Sequence, residues 1–209
     1  MKDAASDPSS APSLRVLRTG SGIDVAGAER ALADLLAALG QDPDSPHMVG
    51  TPRRVAALYA ELLTPQSFNP TTFPNDEGYD ELVLARDIPF HSLCQHHLLP
   101  FTGVAHVGYL PGERILGLSK LARVVDLFAR GLQVQERLTQ QVSDWLQANL
   151  APKGVGVVFE AEHLCMTMRG VRAYGSRTVT SALHGVLRED PRSRAEFFAL
   201  AGVGRDPAR

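Results

Sequence analysis

The chain has 209 residues and a net charge of −2, so it is long enough for one domain with a real core and carries no general basic field for nucleic acid or anionic membranes. Its apolar runs fall well short of the ~20 residues that span a bilayer, and no export signal opens the chain. We therefore expect a cytoplasmic protein with neither nucleic-acid nor membrane partners.

The first third of the sequence predicts a tail followed by helices. Residues 1–22 are rich in Ser, Pro, Ala and Asp, which is typical of a flexible tail. Apolar residues recur at helical spacing over residues 24–40 and predict an amphipathic helix that stops at its final glycine. The Thr51-Pro52 pair is typical of a helix N-terminus and begins a second predicted helix. Residues 23–72 therefore form a predicted N-terminal helical region.

The remaining residues, 73–209, predict one α+β domain, because strands are grouped around a central helix pair instead of alternating with single helices. Strands are predicted at 81–89, 101–110, 114–118, 155–161 and 163–169, and helices at 119–128, 134–150 and 192–200. Pro111-Gly112 predicts a turn that pairs the second and third of these strands antiparallel. Ser119 is predicted to cap the first of these helices.

One candidate metal-binding segment contains Cys94 and His97. Their C-x-x-H spacing allows one tight turn to direct a thiolate and an imidazole at a single ion. For such a spacing alone, a buried cysteine with surface histidines is the better interpretation. Two cysteines in a reducing compartment nevertheless favour metal binding or catalysis over a disulfide.

A second segment strengthens the metal interpretation. If residues 163–169 form a strand, then His163, Cys165, Thr167 and Arg169 share one face and the apolar residues between them share the other. Cys165 would complete a Cys₂His set, which leaves the fourth position of Zn²⁺ open for water and so indicates catalysis. His163, or His96 beside the first segment, would then move protons.

Two further clusters suggest a nucleotide ligand. Ser119, Lys120 and Arg123 share the first turns of a predicted helix, where cations and free N–H groups favour an anion, although a capped helix with solvated cations explains them equally well. Arg169 on the predicted zinc-side face favours the phosphate interpretation. Gln135 and Glu136 offer an amide and a carboxylate that can read a guanine edge, whereas a lone Glu there usually serves the helix dipole.

Four segments, 92–101, 117–120, 133–139 and 162–170, closely resemble GTP cyclohydrolase I, and the likeness extends over about residues 24–185. The resemblance implies a tunnelling fold, in which an antiparallel sheet carries a helix pair on one face and N-terminal helices precede it. It also implies a toroidal homodecamer with sites at subunit interfaces. The implied activity is that of a hydrolase of cyclic amidine C–N bonds, which converts GTP to 7,8-dihydroneopterin triphosphate and formate at the start of folate and pterin biosynthesis.

Carried over by position, the resemblance implies a role for each candidate residue. Cys94, His97 and Cys165 match the ligands of one Zn²⁺ per subunit, and His96 and His163 match the acid–base histidines. Ser119 would assist rearrangement of the ribose. The matched substrate contacts are Gln135 and Glu136 at guanine, and Lys120, Arg123, Arg169 and Arg54 around the triphosphate and ribose.

Three positions depart from the family pattern. Gln95 stands where Glu is usual, Ala57 where a basic residue is common, and Ala173-Tyr174 where Lys-Pro is common. We expect these changes to tune the enzyme, because Gln95 keeps its hydrogen-bonding capacity and no proposed metal ligand is lost. Loss of a cation at Ala57 would weaken triphosphate binding if that position faces the site.

Several alternatives stay open at the level of sequence. One is a paralogue with the same reaction that feeds a specialised pterin or deazapurine pathway, and another is a GTP-binding homologue with little turnover. Related tunnelling-fold enzymes are a third: a pyruvoyl-tetrahydropterin synthase binds zinc through three histidines, and a nitrile reductase uses a nucleophilic cysteine without metal. Metal content and ligand type separate these from the leading hypothesis.

Overall fold

The structure is a computed structural model that describes residues 22–202, so the predicted tail lies, except for Gly22, outside the described residues. The chain divides after Ala56 into two compact units. The boundary predicted after residue 72 stays a prediction. Among the described residues, no helix combines the length and apolar character needed to cross a membrane.

Both predicted N-terminal helices are confirmed. Helix α1 spans Val25–Ala38, and the Asp24 carboxylate caps it by accepting the Gly27 N–H at 2.8 Å. Gly40 follows with φ of 76°, a left-handed conformation that glycine adopts with little cost. Helix α2 spans Thr51–Leu63, so that Thr51 is its first helical residue.

In its described part, residues 57–202, the second unit contains seven strands and five further helices. The strands are β1 (Thr72–Pro74), β2 (Val83–Cys94), β3 (Pro100–Leu110), β4 (Arg114–Leu116), β5 (Leu132–Gln133), β6 (Gly154–His163) and β7 (Thr178–Gly185). The helices are α3 (Leu118–Ala129), α4 (Gln135–Leu150), α5 (Leu164–Thr167), α6 (Val186–Glu189) and α7 (Pro191–Ala201). The main sheet has the order β5-β2-β3-β6-β7, antiparallel except for the β2–β5 pair, and β1 pairs with β4 separately.

The main core lies between the sheet and the pair α3 and α4. Its buried side chains come from both layers, and they include Leu121, Val124, Leu138, Val142, Leu146, Phe101, Val107, Val157 and Phe159. Full burial of each such side chain stabilises the fold by roughly 1.5–3 kcal/mol. The expected α+β class, with a helix pair on one face of the sheet as in a tunnelling fold, is confirmed.

A smaller core covers the opposite face of β6. Val158 packs there with Leu187 of α6 and Phe197 of α7, so β6 is buried on both faces. Gly156 lies under the Phe197 ring, where an added Cβ would meet two ring carbons at 2.7 Å. The predicted C-terminal helix is thereby confirmed as α7 and has a defined packing partner.

The predicted antiparallel pair of residues 101–110 with 114–118 is wrong. Strand β4 pairs with β1, with Thr72 opposite Leu116, while β3 is already hydrogen-bonded to β2 on one edge and β6 on the other. No edge of β3 is free for a third partner. The Leu116 N–H instead donates to the Tyr109 hydroxyl at 2.9 Å, which ties β4 to the end of β3.

The predicted strand at 163–169 is also wrong. The β3–β6 ladder ends at the pair Phe101 and His163, because β3 itself begins at Pro100 and offers no partner beyond it. The chain turns into α5 instead, so the predicted alternation of faces fails: Thr167 is buried and Arg169 is exposed.

The predicted cap at Ser119 is wrong by position. Gly117 is the N-cap residue of α3, and Ser119 lies inside the first turn. The predicted helix itself is confirmed, as is the longer one that corresponds to α4. Strands β1, β5 and β7 and the short helix α6 have no counterpart in the sequence analysis.

Substitution Gly156→Ala is expected to lower the free energy of unfolding by roughly 1–3 kcal/mol, since the new methyl overlaps the Phe197 ring. Denaturant unfolding at matched protein concentration measures the change. Adding Phe197→Leu, which removes the overlapping ring carbons, should recover part of the loss. A Gly156→Ala protein that unfolds at the wild-type midpoint would contradict this packing.

Candidate functional site

Three potential metal ligands converge at one end of the sheet. Cys94 is the buried last residue of β2, His97 lies three residues later in a turn, and Cys165 lies in α5. Their ligand atoms all lie within 4.8 Å of one another, and Cys94 Sγ is 3.8 Å from His97 Nδ1. Tetrahedral Zn²⁺ with its usual bond lengths separates a thiolate sulfur from an imidazole nitrogen by about 3.6 Å. The donor set therefore fits one tetrahedral ion and leaves one position without a protein ligand.

The turn that carries His97 is closed by backbone hydrogen bonds. The Cys94 N–H donates to the Leu99 carbonyl, and the Leu98 N–H donates back to the Cys94 carbonyl, both at 2.9 Å. Leu98 is left-handed at φ 56°, which costs about 1–3 kcal/mol and persists only where the surroundings impose it. Tyr59 of α2 adds an anchor, since its hydroxyl donates to the Leu98 carbonyl at 3.1 Å. The turn is thus stabilised by two backbone hydrogen bonds of its own and by the Tyr59 hydroxyl of α2.

The surroundings of the Cys165 thiol disfavour its thiolate unless a cation is nearby. Burial raises its pKa, and the adjacent Cys94 raises it further, while the Arg169 guanidinium opposes this weakly. Two thiolates side by side are unfavourable without a positive charge between them. A bound dication supplies that charge, so metal binding and thiol deprotonation are coupled here.

His163 is held rigidly beside this group, two residues before Cys165. Its ring stacks on Phe101, with centroids 4.6 Å apart and planes within 2° of parallel. Its Nε2 lies 2.7 Å from the Gln135 side-chain oxygen. Burial lowers the pKa of His163 and the Glu136 carboxylate partly offsets this, which favours a neutral ring able to accept a proton.

His96 lies in the exposed turn between the two ligands of the first segment. Its Nδ1 is 3.9 Å from Cys94 Sγ, and its Nε2 is 3.4 Å from the Gln95 side-chain nitrogen. The position gives His96 access to solvent as well as to the metal-binding group, as a residue that exchanges protons requires.

Gln95 keeps a structural link that its amide can make without a charge. Arg137 of α4 donates to the Gln95 side-chain oxygen at 2.9 Å and to the Gln133 side-chain oxygen at 2.9 Å. The turn is therefore tied to the start of α4. Arg137 was not among the residues predicted for the site, because Gln133 lies in β5, before α4 begins, and Gln95 is distant in sequence.

Gln135 and Glu136 begin α4, but they face different surroundings. Gln135 is 1 % exposed, and its side chain bonds to His163 and to oxygens of β6 and β7. Glu136 is exposed. Of the two residues expected to read guanine, Glu136 alone presents its side chain to solvent.

The cationic cluster of α3 is not brought to the metal-binding group within one chain. Helix α3 starts beside β4, near the Leu110 end of β3. It ends beside β2, where the Ser92 hydroxyl donates to the Ala129 carbonyl at 2.6 Å. Cys94 lies level with the opposite, Pro100 end of β3. Ser119 and Lys120 therefore lie in the first turn of α3, with Ser119 roughly 15 Å along the helix from Ala129, and Arg123 lies near the middle of the helix.

The other two expected phosphate contacts lie elsewhere. Arg169 follows α5 and is exposed, near enough to Cys165 to affect its thiol. Arg54 belongs to the first unit, where its guanidinium donates to the Thr51 hydroxyl at 2.9 Å. Ala57 is exposed on α2.

The sequence is similar to those of known proteins from a single family. The family model described as GTP cyclohydrolase I matches residues 28–202. A protein of Mycobacteroides abscessus named GTP cyclohydrolase 1 is 53 % identical over 187 residues, covering 87 % of this chain and 92 % of the relative. The protein of that name from Thermoanaerobacter pseudethanolicus is 51 % identical over 183 residues, covering 85 % and 97 %.

Among solved structures, an archaeosine synthase QueF-Like in the apo form matches with a TM-score of 0.39 and 20 % identity, covering 50 % of this chain and 93 % of that one. The fold assignment rests on the strand order and helix placement described above.

Substitution Cys94→Ser or Cys165→Ser is expected to reduce bound zinc from near one per subunit to a small fraction, because each removes one of three protein ligands. Elemental analysis after dialysis measures the content. His91→Ala, at an exposed position in β2, is the matched control and should keep its zinc. Wild-type zinc content in Cys165→Ser would exclude Cys165 as a ligand.

Proposed function

Because this chain belongs to the GTP cyclohydrolase I family, we propose that it hydrolyses GTP and rearranges the product to 7,8-dihydroneopterin triphosphate, releasing formate. The observation that carries this proposal is the convergence of Cys94, His97 and Cys165 beside two histidines. Three protein ligands with one open position are typical of a catalytic zinc site.

We propose Zn²⁺, one per subunit, as the metal that these three residues hold. When bound, it supplies a water whose pKa is lowered toward neutrality and a Lewis acid next to the purine. The thiolates of Cys94, which is buried, and of Cys165 would offset the charge of the ion.

The two histidines divide the proton transfers. His163, stacked and half-buried, has the lowered pKa of a group that accepts a proton at neutral pH. His96 is exposed, and it can return protons to solvent or to the leaving nitrogen as the imidazole ring opens. Positioned acid–base groups of this kind contribute about 10²–10⁴-fold to rate.

The Glu136 carboxylate reads the guanine edge. Guanine presents a ring N–H and an amino group side by side, and an ionised carboxylate accepts from both. This pattern favours guanine over adenine, which presents an unprotonated ring nitrogen at the same place. Gln135 was expected at the same edge, but its amide is engaged within the chain.

We propose that the complete site needs two copies of the chain. Ser119, Lys120 and Arg123 carry the hydroxyl and charges suited to the ribose and triphosphate. Yet Ser119 and Lys120 lie in the first turn of α3, away from the candidate metal ligands, and Arg123 lies near the middle of the helix. A neighbouring subunit that presents its α3 start to the metal group would complete the site, with Arg169 adding charge. Arg54 of the first unit stays a separate proposed triphosphate contact. A ring-shaped homodecamer, as the family resemblance implies, repeats this contact around a closed ring.

We place the enzyme in the cytoplasm.

The alternatives find no specific support. The Cys-His-Cys donor set differs from the three-histidine site of a pyruvoyl-tetrahydropterin synthase, and the matched relatives are named for the cyclohydrolase. The direct test is an assay of purified, zinc-loaded protein for formate and for a fluorescent neopterin after oxidation. Absence of both products would overturn the proposed function.

Substitutions His163→Ala and His96→Ala are expected to reduce GTP turnover by about 10²–10⁴-fold while zinc remains bound, since neither residue is a proposed ligand. Formate release and zinc content are measured on the same samples. His91→Ala again serves as the control and should turn over GTP normally. Full activity in either variant would remove that histidine from the mechanism.

Mixing two inactive variants tests the shared site. Lys120→Ala removes a charge from the α3 half, and Cys165→Ser removes a ligand from the metal half. If the halves come from different subunits, a random 1:1 mixture reassembled together should regain roughly a quarter of wild-type sites.

The matched control for mixing is Cys94→Ser with Cys165→Ser, where both changes lie in the metal half. That mixture should gain activity only if ligands of one metal come from two chains. Failure of the Lys120→Ala and Cys165→Ser mixture to exceed the separate variants, after subunit exchange is verified, would argue against a site shared in this way.

A further inference from the structure

We propose that Gln135 is a positioning residue that holds His163 with a hydrogen on Nε2, which leaves Nδ1 as the atom that exchanges protons during the reaction. This inference rests on the proposed function for its catalytic meaning. It assigns to Gln135 a role other than contact with guanine, and it specifies which of the two ring nitrogens works.

The orientation of the Gln135 amide is determined by its acceptors. The side-chain nitrogen lies 3.1 Å from the Phe159 carbonyl, 3.0 Å from the Thr178 carbonyl and 3.1 Å from the Thr180 hydroxyl. Backbone carbonyls only accept hydrogen bonds, so a flipped amide would place its oxygen against two other oxygens in a buried site. The amide nitrogen therefore faces the sheet, and the oxygen faces His163.

The neighbouring hydroxyls agree with this orientation. Thr139 donates its hydroxyl hydrogen to the Gln135 backbone carbonyl at 2.8 Å, so its oxygen is free to accept from the Thr180 hydroxyl at 2.6 Å. Thr180 has then used its hydrogen and can accept from the Gln135 amide. Each hydroxyl hydrogen in this group therefore has an acceptor when the Gln135 amide nitrogen faces Thr180.

The orientation of the Gln135 amide also determines the tautomer of His163. The Gln135 oxygen, 2.7 Å from His163 Nε2, is purely an acceptor, so Nε2 must carry the hydrogen. A neutral imidazole has one hydrogen, which places the lone pair on Nδ1. Stacking on Phe101 fixes the plane of the ring, and the hydrogen bond fixes its rotation within that plane.

Burial separates this role from substrate binding. Gln135 is 1 % exposed, and turning its amide toward a ligand would abandon the carbonyls of Phe159 and Thr178 as well as His163. Leaving such buried groups unpaired costs about 1–3 kcal/mol each. Gln135 therefore acts on the reaction through His163.

The test separates effects on binding from effects on chemistry. Gln135→Met, similar in length but without hydrogen bonds, should lower kcat by about 10–100-fold with zinc retained and KM for GTP within about twofold of wild type. Gln135→Asn, which keeps a buried amide but draws its oxygen back by about 1.5 Å, should act in the same direction. If Gln135→Met fails to fold, Gln135→Asn provides the same test.

A spectroscopic signature reports the tautomer directly. Solid-state ¹⁵N NMR of zinc-loaded, histidine-labelled protein should show His163, identified by its absence in His163→Asn, as the Nε2–H form. Both Gln135 variants should shift it toward a mixture of the two tautomers. The readout does not require turnover, so it judges Gln135 even if the proposed reaction fails.

Thr180→Val is the matched control within the same buried group. It removes one acceptor but leaves two carbonyls for the two amide hydrogens, so kcat and the His163 signal should stay as in wild type. A raised KM with unchanged kcat in Gln135→Asn or Gln135→Met would overturn the proposal and return Gln135 to the guanine edge. A wild-type tautomer signal in both would overturn it equally.

Discussion

The whole site depends on where three neighbouring strands end. Strand β2 stops at Cys94, β3 begins at Pro100, and the β3–β6 ladder closes with Phe101 opposite His163. Because backbone pairing fixes this register, the turn that carries His97 and the short helix that carries Cys165 leave the sheet side by side. A slip of one residue in either ladder would turn the alternating side chains to the opposite face and separate the ligands.

Burial at this end of the sheet makes proton and metal chemistry interdependent. The raised thiol pKa of Cys165 favours its neutral form until a cation binds, and the lowered pKa of His163 keeps that ring neutral as well. The apolar core behind Phe101 causes both effects by excluding water from one side of the site. Hydrogen bonds from Arg137 to Gln95 and from Gln135 to the sheet then hold the polar side in place.

The same architecture explains why one chain holds only part of the expected site. Helix α3 begins beside β4 and ends beside Ser92 of β2, so Ser119 in its first turn lies ten residues from Ala129 at its end. No local rearrangement of side chains spans the roughly 15 Å of helix between them. The proposed association of copies would bring the start of α3 in one chain to the candidate metal ligands of another.

The sequence by itself determined the helices of the N-terminal region, α3, α4 and α7, because apolar periodicity is a local property of each segment. Its motifs also singled out Cys94, His97 and Cys165, which the structure brings together, although the segment predicted as a strand at Cys165 is a short helix. Only the tertiary structure decided that β4 pairs with β1, that β6 ends at His163, and that Gln135 faces inward. These depend on which strand edges are already occupied and which buried acceptors lie nearby, and residues distant in sequence supply both.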